Sequence, residues 1–177
     1  AQLGMGIVMG YTYNGLYDAY ASYKRDASSI LPSDKRWNDA WAVGAGWTPT
    51  NYAFLKDNKV LSNLNIKASY GIIANLNGVS TSTTVATFAY SDASYEEQRQ
   101  LYLMGLVNKE LKAEKTKSFD LSLSAQFFKR FTFGVNLYNR RTEQALLDVP
   151  IPTSNGFNIL KRNIGVLENN GIEANSS

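Results

Sequence analysis

Residues 117–141 read KSFDLSLSAQFFKRFTFGVNLYNRR. In the first half, Phe119, Leu121, Leu123, Ala125 and Phe127 alternate with Ser118, Asp120, Ser122, Ser124 and Gln126. Lys129-Arg130 reads as a tight turn. Beyond it, Phe131, Phe133, Val135 and Leu137 alternate with Thr132, Gly134, Asn136, Tyr138 and Arg140. A period of two signals β-structure, because successive side chains of a strand point to opposite faces. A two-sheet sandwich and a membrane barrel both alternate in this way. Here the runs are long, the apolar face ends in aromatics and the polar face carries charge at mid-strand. That combination predicts an all-β, antiparallel barrel wall with lipid outside and water inside.

Composition narrows the choices. The 177 residues suffice for one domain with a core. The chain opens on AQLGMGIVMG and closes on GIEANSS, both within strand patterns, so it reads as an interior piece of a longer chain. It has no cysteine and no histidine, which excludes disulfides, cysteine-based zinc sites and triads that need His or Cys. The net charge of +3 is spread out, without the basic stripe of a nucleic-acid binder. Mean hydropathy is −0.27 and no apolar run approaches the ~20 residues of a spanning helix. A membrane reading therefore rests on strands. The 11 tyrosines, 8 phenylalanines and 3 tryptophans favour strands and membrane interfaces.

Outward from the central hairpin, the alternation recurs. Leu3 to Tyr13 sets Leu3, Met5, Ile7, Met9, Tyr11 and Tyr13 against Gly4, Gly6, Val8, Gly10 and Thr12. Such inward glycines mark sheet curvature or close approach of another backbone. Asn14-Gly15 is a strong hairpin signal. Leu16 to Asp26 follows as a strand, then a polar loop from Ala27 to Asn38 containing Pro32. Ala40 to Thr48 carries Trp41 and Trp47 on one face, about 20 Å apart along the strand, the spacing of two aromatic girdles. Pro49 ends that strand. A connector from Thr50 to Ser62, with apolar anchors Phe54, Leu55, Val60 and Leu61, leads to a strand over Asn63 to Ile73. The segment Asn75 to Lys115 lacks membrane-length alternation. In it Ser94-Tyr95-Glu96-Glu97 has capping-box spacing and predicts a short helix to about Met104. Thr142 to Leu160 reads as a loop with Pro150 and Pro152, and Lys161 to Ala174 as the last strand. Short links (Asn14-Gly15, Pro49 to Ser62, Lys129-Arg130) fall on one side and long ones on the other. Outer-membrane barrels sort their loops this way, whereas a sandwich has no reason to.

Further motifs carry a family resemblance. The stretch RRTEQALLDVPIPTSNGF, then Asn163-Ile164-Gly165, then NNGIE at Asn169 to Glu173, resembles the SusC/RagA family of TonB-linked outer-membrane transporters of Bacteroidetes. In the same order, KRDASS (Lys24 to Ser29), VGAGW (Val43 to Trp47), LNIKASYG (Leu64 to Gly71) and LKAEKTKSFDLSL (Leu111 to Leu123) are similar to family motifs. Ala27 and Ala74 stand where the family commonly has Gly, and Ala113 where it commonly has Trp. The resemblance implies about seven strands of a 22-stranded barrel, with residues 1–177 all in one barrel domain and neither plug domain nor TonB box in this chain. It also implies import of oligosaccharides or peptides, a SusD-like surface lipoprotein as cap, and energy from TonB–ExbB–ExbD acting through the plug. Seven strands cannot close such a barrel, so the isolated chain would expose edges and an apolar face and need detergent.

The expected role of this segment is wall and extracellular loop, not chemistry: no catalytic, cofactor or metal residue is expected. Inward Asp18, Lys67, Asp120 and Arg140 would chiefly bond to one another or to the plug, with contact to substrate the alternative. Tyr90, Tyr95 and Tyr102 on the long loop could stack on sugar rings or meet a lid, but internal loop packing is their expected role. Asp92, Glu96 and Glu97 lack the ordered set of six or more oxygen ligands of a calcium loop. Two other functions fit the pattern: a soluble all-β carbohydrate-binding or adhesion module, and a siderophore-type TonB-dependent receptor. The first requires Trp41, Trp47, Phe119, Phe127, Phe131 and Leu137 to pack against a second sheet.

Overall fold

A computed structural model describes residues 2–55, 58–76, 78–95 and 98–177. Seven long strands form one antiparallel sheet in the order β1 (Gln2–Tyr13), β2 (Tyr17–Ser28), β3 (Trp37–Trp47), β4 (Leu61–Asn75), β7 (Glu114–Phe127), β8 (Phe131–Pro150) and β9 (Ile159–Ser176). Between β4 and β7 the chain makes one helical turn, α1 (Thr81–Thr84), and a separate hairpin of β5 (Phe88–Tyr95) and β6 (Gln98–Leu103). Each long strand pairs with its neighbour in the main sheet, an up-and-down meander.

The sheet has no hydrophobic core of its own. Among the described residues the only large side chains fully buried are Leu31 and Leu111, both in loops. Trp41, Trp47, Phe119, Phe127, Phe131 and Leu137 all remain exposed, and no second sheet covers them among the described residues. A water-soluble sandwich would have buried that face. The soluble-module reading fails here.

Register explains the placement of the aromatics. One row across the sheet runs Tyr17, Trp47, Ile66, Leu123, Val135, and another runs Tyr23, Trp41, Ile72, Lys117, Arg141, Glu168. Each row mixes aromatic with aliphatic or charged residues, so rows are not levels in the membrane. Barrel strands tilt by about 40°, so one step across the sheet climbs about 3 Å along the membrane normal and one residue along a strand about 2.5 Å. With the climb running from β1 to β9, Tyr13, Tyr17, Trp47, Leu64, Phe127 and Phe131 come within a few ångströms of one level. Tyr23, Trp41, Tyr70 and Phe119 form a second. The sequence thus places two belts on a tilted sheet, as a barrel wall requires.

Several elements differ from the sequence reading. The central turn lies one residue earlier than expected: Phe128 and Lys129 take positive φ (54° and 56°), and the Arg130 amide donates to the Phe127 carbonyl at 3.0 Å. Asn14-Gly15 repeats this geometry (φ 50° and 65°), with Leu16 donating to Tyr13 at 2.9 Å. Type I′ geometry, with both central residues at positive φ, matches strand twist, and sequence reasoning looks for Asn or Gly there, not Phe. The expected loop Ala27 to Asn38 shrinks because Ala27 and Trp37 face each other in the ladder. The expected loop Thr142 to Leu160 is mostly strand, since β8 runs to Pro150 and β9 starts at Ile159. Pro150 is the last residue of its strand, where its missing N–H costs least. The expected helix from Ser94 to Met104 does not form over its second half, which is β6. Glu96 and Glu97 of its capping box lie outside the described residues. The apolar connector residues Phe54 and Val60 are exposed rather than anchored, and Phe54 stacks on Tyr52 at 5.6 Å beside the lower belt.

Gly71 is the wall glycine packed most closely against a neighbouring backbone. A Cβ there would lie 2.8 Å from both the Ala42 Cβ and the Trp41 carbonyl oxygen. Both sit on the neighbouring strand, where relief means moving backbone. Gly71→Ala should destabilise the intact barrel by about 1–3 kcal/mol, read as a lower denaturant midpoint in the heat-modifiable gel shift of folded barrels. Gly105→Ala, with open space around it, should leave the midpoint unchanged.

Candidate functional site

The polar face of the sheet is built from alternation and stocked with short hydrogen-bonding side chains. Asp18 on β2 accepts a 2.9 Å hydrogen bond from Thr12 and flanks Gly46 opposite Lys67 of β4. Asp18, Lys67, Tyr20, Ser69 and Ser122 line one cavity of about 280 Å³. Asp120 and Arg140 approach to 3.9 Å, and the Arg140 guanidinium lies 5.4 Å from the Tyr138 ring centre. The four inward candidates therefore fall into two groups, Asp18 with Lys67 and Asp120 with Arg140. Asp18 and Asp120 have partners within the wall, Thr12 and Arg140.

Two inward glycines are covered by aromatic rings. The Tyr20 ring lies over Gly44, and the Tyr138 ring over Gly171, each where a Cβ would otherwise sit. An aromatic laid across a glycine restores packing to a weak point of a sheet. It also flattens the inner surface, keeping two large side chains against the wall.

At the end of the sheet with the long connections, the loops are fastened to one another. Leu31, Val79 and Ala113 form a small buried cluster with Ile30, Ala74, Leu76 and Leu146 packed around it. The Thr84 hydroxyl donates to the Ile30 carbonyl at 2.5 Å. Asn108 donates to the Lys161 carbonyl at 2.8 Å, and its backbone amide to Thr83 at 2.9 Å. Asn163 accepts from the Lys112 amide (2.9 Å) and donates to the carbonyls of Lys112 (2.9 Å) and Gln144 (2.8 Å). Gln144 sits at φ 58° in a β-bulge, and the neighbouring Leu146 amide donates to Glu114 at 2.7 Å. The bulge redirects β8 and β9 where they leave the membrane. None of these anchors was singled out from the alternation. Asn163 was visible only through its Asn-Ile-Gly motif, and Asn108 carried no signal.

The β5–β6 hairpin carries the loop aromatics. Tyr90 faces Leu101 and Tyr102 faces Ala89 in the ladder, so the two tyrosines occupy opposite faces. Both are exposed, which corrects the expectation that they pack within the loop. The side chains of Tyr95 and Asp92, like Glu96 and Glu97, lie outside the described residues. Among the described residues no group of three or more metal-ligating side chains exists.

Above the upper belt the apolar face turns ionic. Arg25 pairs with Asp39 at 3.5 Å and stacks on Trp37 at 5.2 Å. Lys117 donates to both Glu143 oxygens (2.8 and 2.9 Å), and Arg141 approaches Glu143 (3.5 Å) and Glu168 (3.7 Å).

Residues 9–177 match the family model described as TonB dependent receptor-like, beta-barrel. TonB-dependent receptor SusC of Bacteroides thetaiotaomicron is 33% identical over 159 residues, covering 84% of this chain and 16% of that protein. TonB-dependent receptor P26 of Formosa agariphila is 29% identical over 168 residues, covering 93% of this chain and 17% of that protein. The structure of the RagAB peptide importer in its closed-closed state superposes with a TM-score of 0.89 at 27% identity, over 99% of this chain and 19% of that one. The chain thus spans under a fifth of the length of these relatives.

Removing the Asn163 side chain should release the 108–113 segment without unfolding the wall. Asn163→Leu in the intact protein should lower stability by about 1–3 kcal/mol. Hydrogen exchange at the Lys112 amide should rise, while the β7 amides stay protected. Unchanged exchange at Lys112 would remove Asn163 as the fastener.

Proposed function

The chain belongs to the TonB-dependent receptor family of bacterial outer-membrane β-barrels, and from that premise we propose that it forms part of the wall and extracellular rim of a SusC/RagA-like nutrient importer. The imported molecules are oligosaccharides or peptides. A SusD-like surface lipoprotein caps the outer mouth, and TonB–ExbB–ExbD supplies energy through a plug inside the barrel. Further strands on both sides of this sheet close the wall.

The observation that carries this reading is the end-to-end agreement of the seven strands with the wall of a peptide importer. The physical arrangement fits the role. Lipid is met by aliphatic and aromatic side chains, while Asp18, Lys67, Asp120 and Arg140 face a wet interior. Fixed loops at the rim give a lid a defined surface to close against. Nothing in the segment is asked to break or form a bond; its work is to hold shape around moving parts.

Two measurements test it. These 177 residues contain no cysteine, so single cysteines placed in them can be followed once any cysteine elsewhere in the intact protein has been replaced. In intact cells an impermeant maleimide should label Tyr90→Cys and Ser154→Cys. It should reach Lys129→Cys only after the outer membrane is permeabilised. Labelling of all three in intact cells would refute the assigned sidedness. Deleting the gene should abolish growth on one polymeric carbohydrate or peptide source and leave growth under iron limitation intact. The opposite pattern would favour a siderophore receptor.

A further inference from the structure

We infer that the apolar face carries a binding site for the phosphate of an outer-leaflet lipid, centred on Lys117 of β7 and Arg141 of β8 just above the upper aromatic belt. The inference rests on the membrane reading of the sheet but not on any particular imported substrate.

Three observations converge. The first is position. Lys115 and Lys117 share a face with Phe119 and Leu121, and Arg141 shares one with Leu137, so all three cations stand on the lipid side of the wall. With the tilt above, Lys117 and Arg141 lie about 9–12 Å higher than Tyr23 along the membrane normal. Side chains of this length bend toward the headgroup layer while their stems follow the apolar surface.

The second is charge. Lys117 stands directly opposite Arg141 in the ladder, a like-charge pairing that destabilises a sheet. Glu143 lies between them and is shared by both. Lys115 forms no ion pair among the described residues. Three cations (Lys115, Lys117, Arg141) therefore face two carboxylates (Glu143, Glu168), leaving the cluster one positive charge in excess. The Arg25–Asp39 pair on β2 and β3 is balanced, so the excess is local to β7 and β8.

The third is the unspent donor capacity of Arg141. Its contacts with Glu143 and Glu168 are 3.5 and 3.7 Å, ion pairs rather than hydrogen bonds. Its side chain is half exposed, at 49%. A phosphate accepts two parallel N–H bonds from such a guanidinium. Ile72 faces Lys117 from β4, with Tyr70 and Phe119 below, so the acyl chains of the same lipid have an apolar track beneath its headgroup. A free phosphate would use only half of this arrangement.

The test uses the full-length protein extracted in mild detergent, with tightly held phosphorylated lipid quantified by mass spectrometry. Lys117→Gln/Arg141→Gln should lose about tenfold of that lipid. Arg140→Gln, one residue away on the inner face, should retain it. The heat-modifiable gel shift confirms that each variant is folded. If the double variant fails to fold, the wild-type protein still decides: high salt should strip the lipid, and reconstitution should enrich phosphate-bearing over zwitterionic lipid around the protein. Equal lipid retention in the double variant and wild type, an equal loss in Arg140→Gln, or salt-insensitive retention without enrichment would overturn the assignment. Loss of lipid with sidedness labelling unchanged would confirm it. Failure of the sidedness labelling would instead indict the membrane reading.

Discussion

Inside a bilayer there is no water to bond to a peptide group, so a spanning strand must pair every N–H and C=O with a neighbour. The rest of this structure follows from that constraint. It forces strand against strand along the whole span and makes the sheet continuous from β1 to β9. The outermost strands, β1 and β9, each have one ladder in this chain and require another strand beyond. Side chains are then free to differ by face, because the backbone is already satisfied. The apolar side chains meet lipid directly, which is why the sheet can do without a core.

Where water returns, the constraint relaxes and the chain diversifies. On one side, tight turns at Asn14-Gly15 and Phe128-Lys129 close hairpins with residues at positive φ. On the other, β8 and β9 outrun the ~9–11 residues that cross a membrane, and the Gln144 bulge turns them toward the rim. There the loops acquire a small buried cluster and asparagine fasteners, the ordinary devices of a protein in water. The rim is held by these fasteners, and on the inner face two tyrosine rings lie flat over glycines.

The barrel architecture was legible because period-two alternation, the two tryptophans of β3 and the sorting of loop lengths all follow from one physical arrangement. Strand ends were less legible. Above the membrane both faces of a strand meet water, so Thr142 to Val149 lack the alternation that marks a strand while keeping their ladder. The helix expected after Ser94 rested on a capping pattern, a local preference that hairpin pairing of 98–103 overrode. Phe128 at positive φ could not be foreseen from turn chemistry. The inner candidates Asp120 and Arg140 were found because alternation fixes which face a residue takes. The fasteners Asn108 and Asn163 were not, because they join residues more than fifty positions apart. The family motifs now have physical content. Gly44 and Gly171 lie beneath tyrosine rings, Gly71 is packed against backbone, Asn163 ties down Lys112, and Trp47 belongs to the lower belt.

The central claim is that one face of this sheet lies in lipid and the other in water. Nitroxide labels placed one at a time from Ser118 to Phe127 of the reconstituted full-length protein measure this directly. Accessibility to oxygen should peak at Phe119, Leu121 and Leu123, and accessibility to a water-soluble nickel complex at Ser118, Asp120, Ser122 and Ser124. The two should oscillate with period two and opposite phase. Oscillations in phase, or a face shielded from both reagents, would show the apolar side packed against protein and contradict the account.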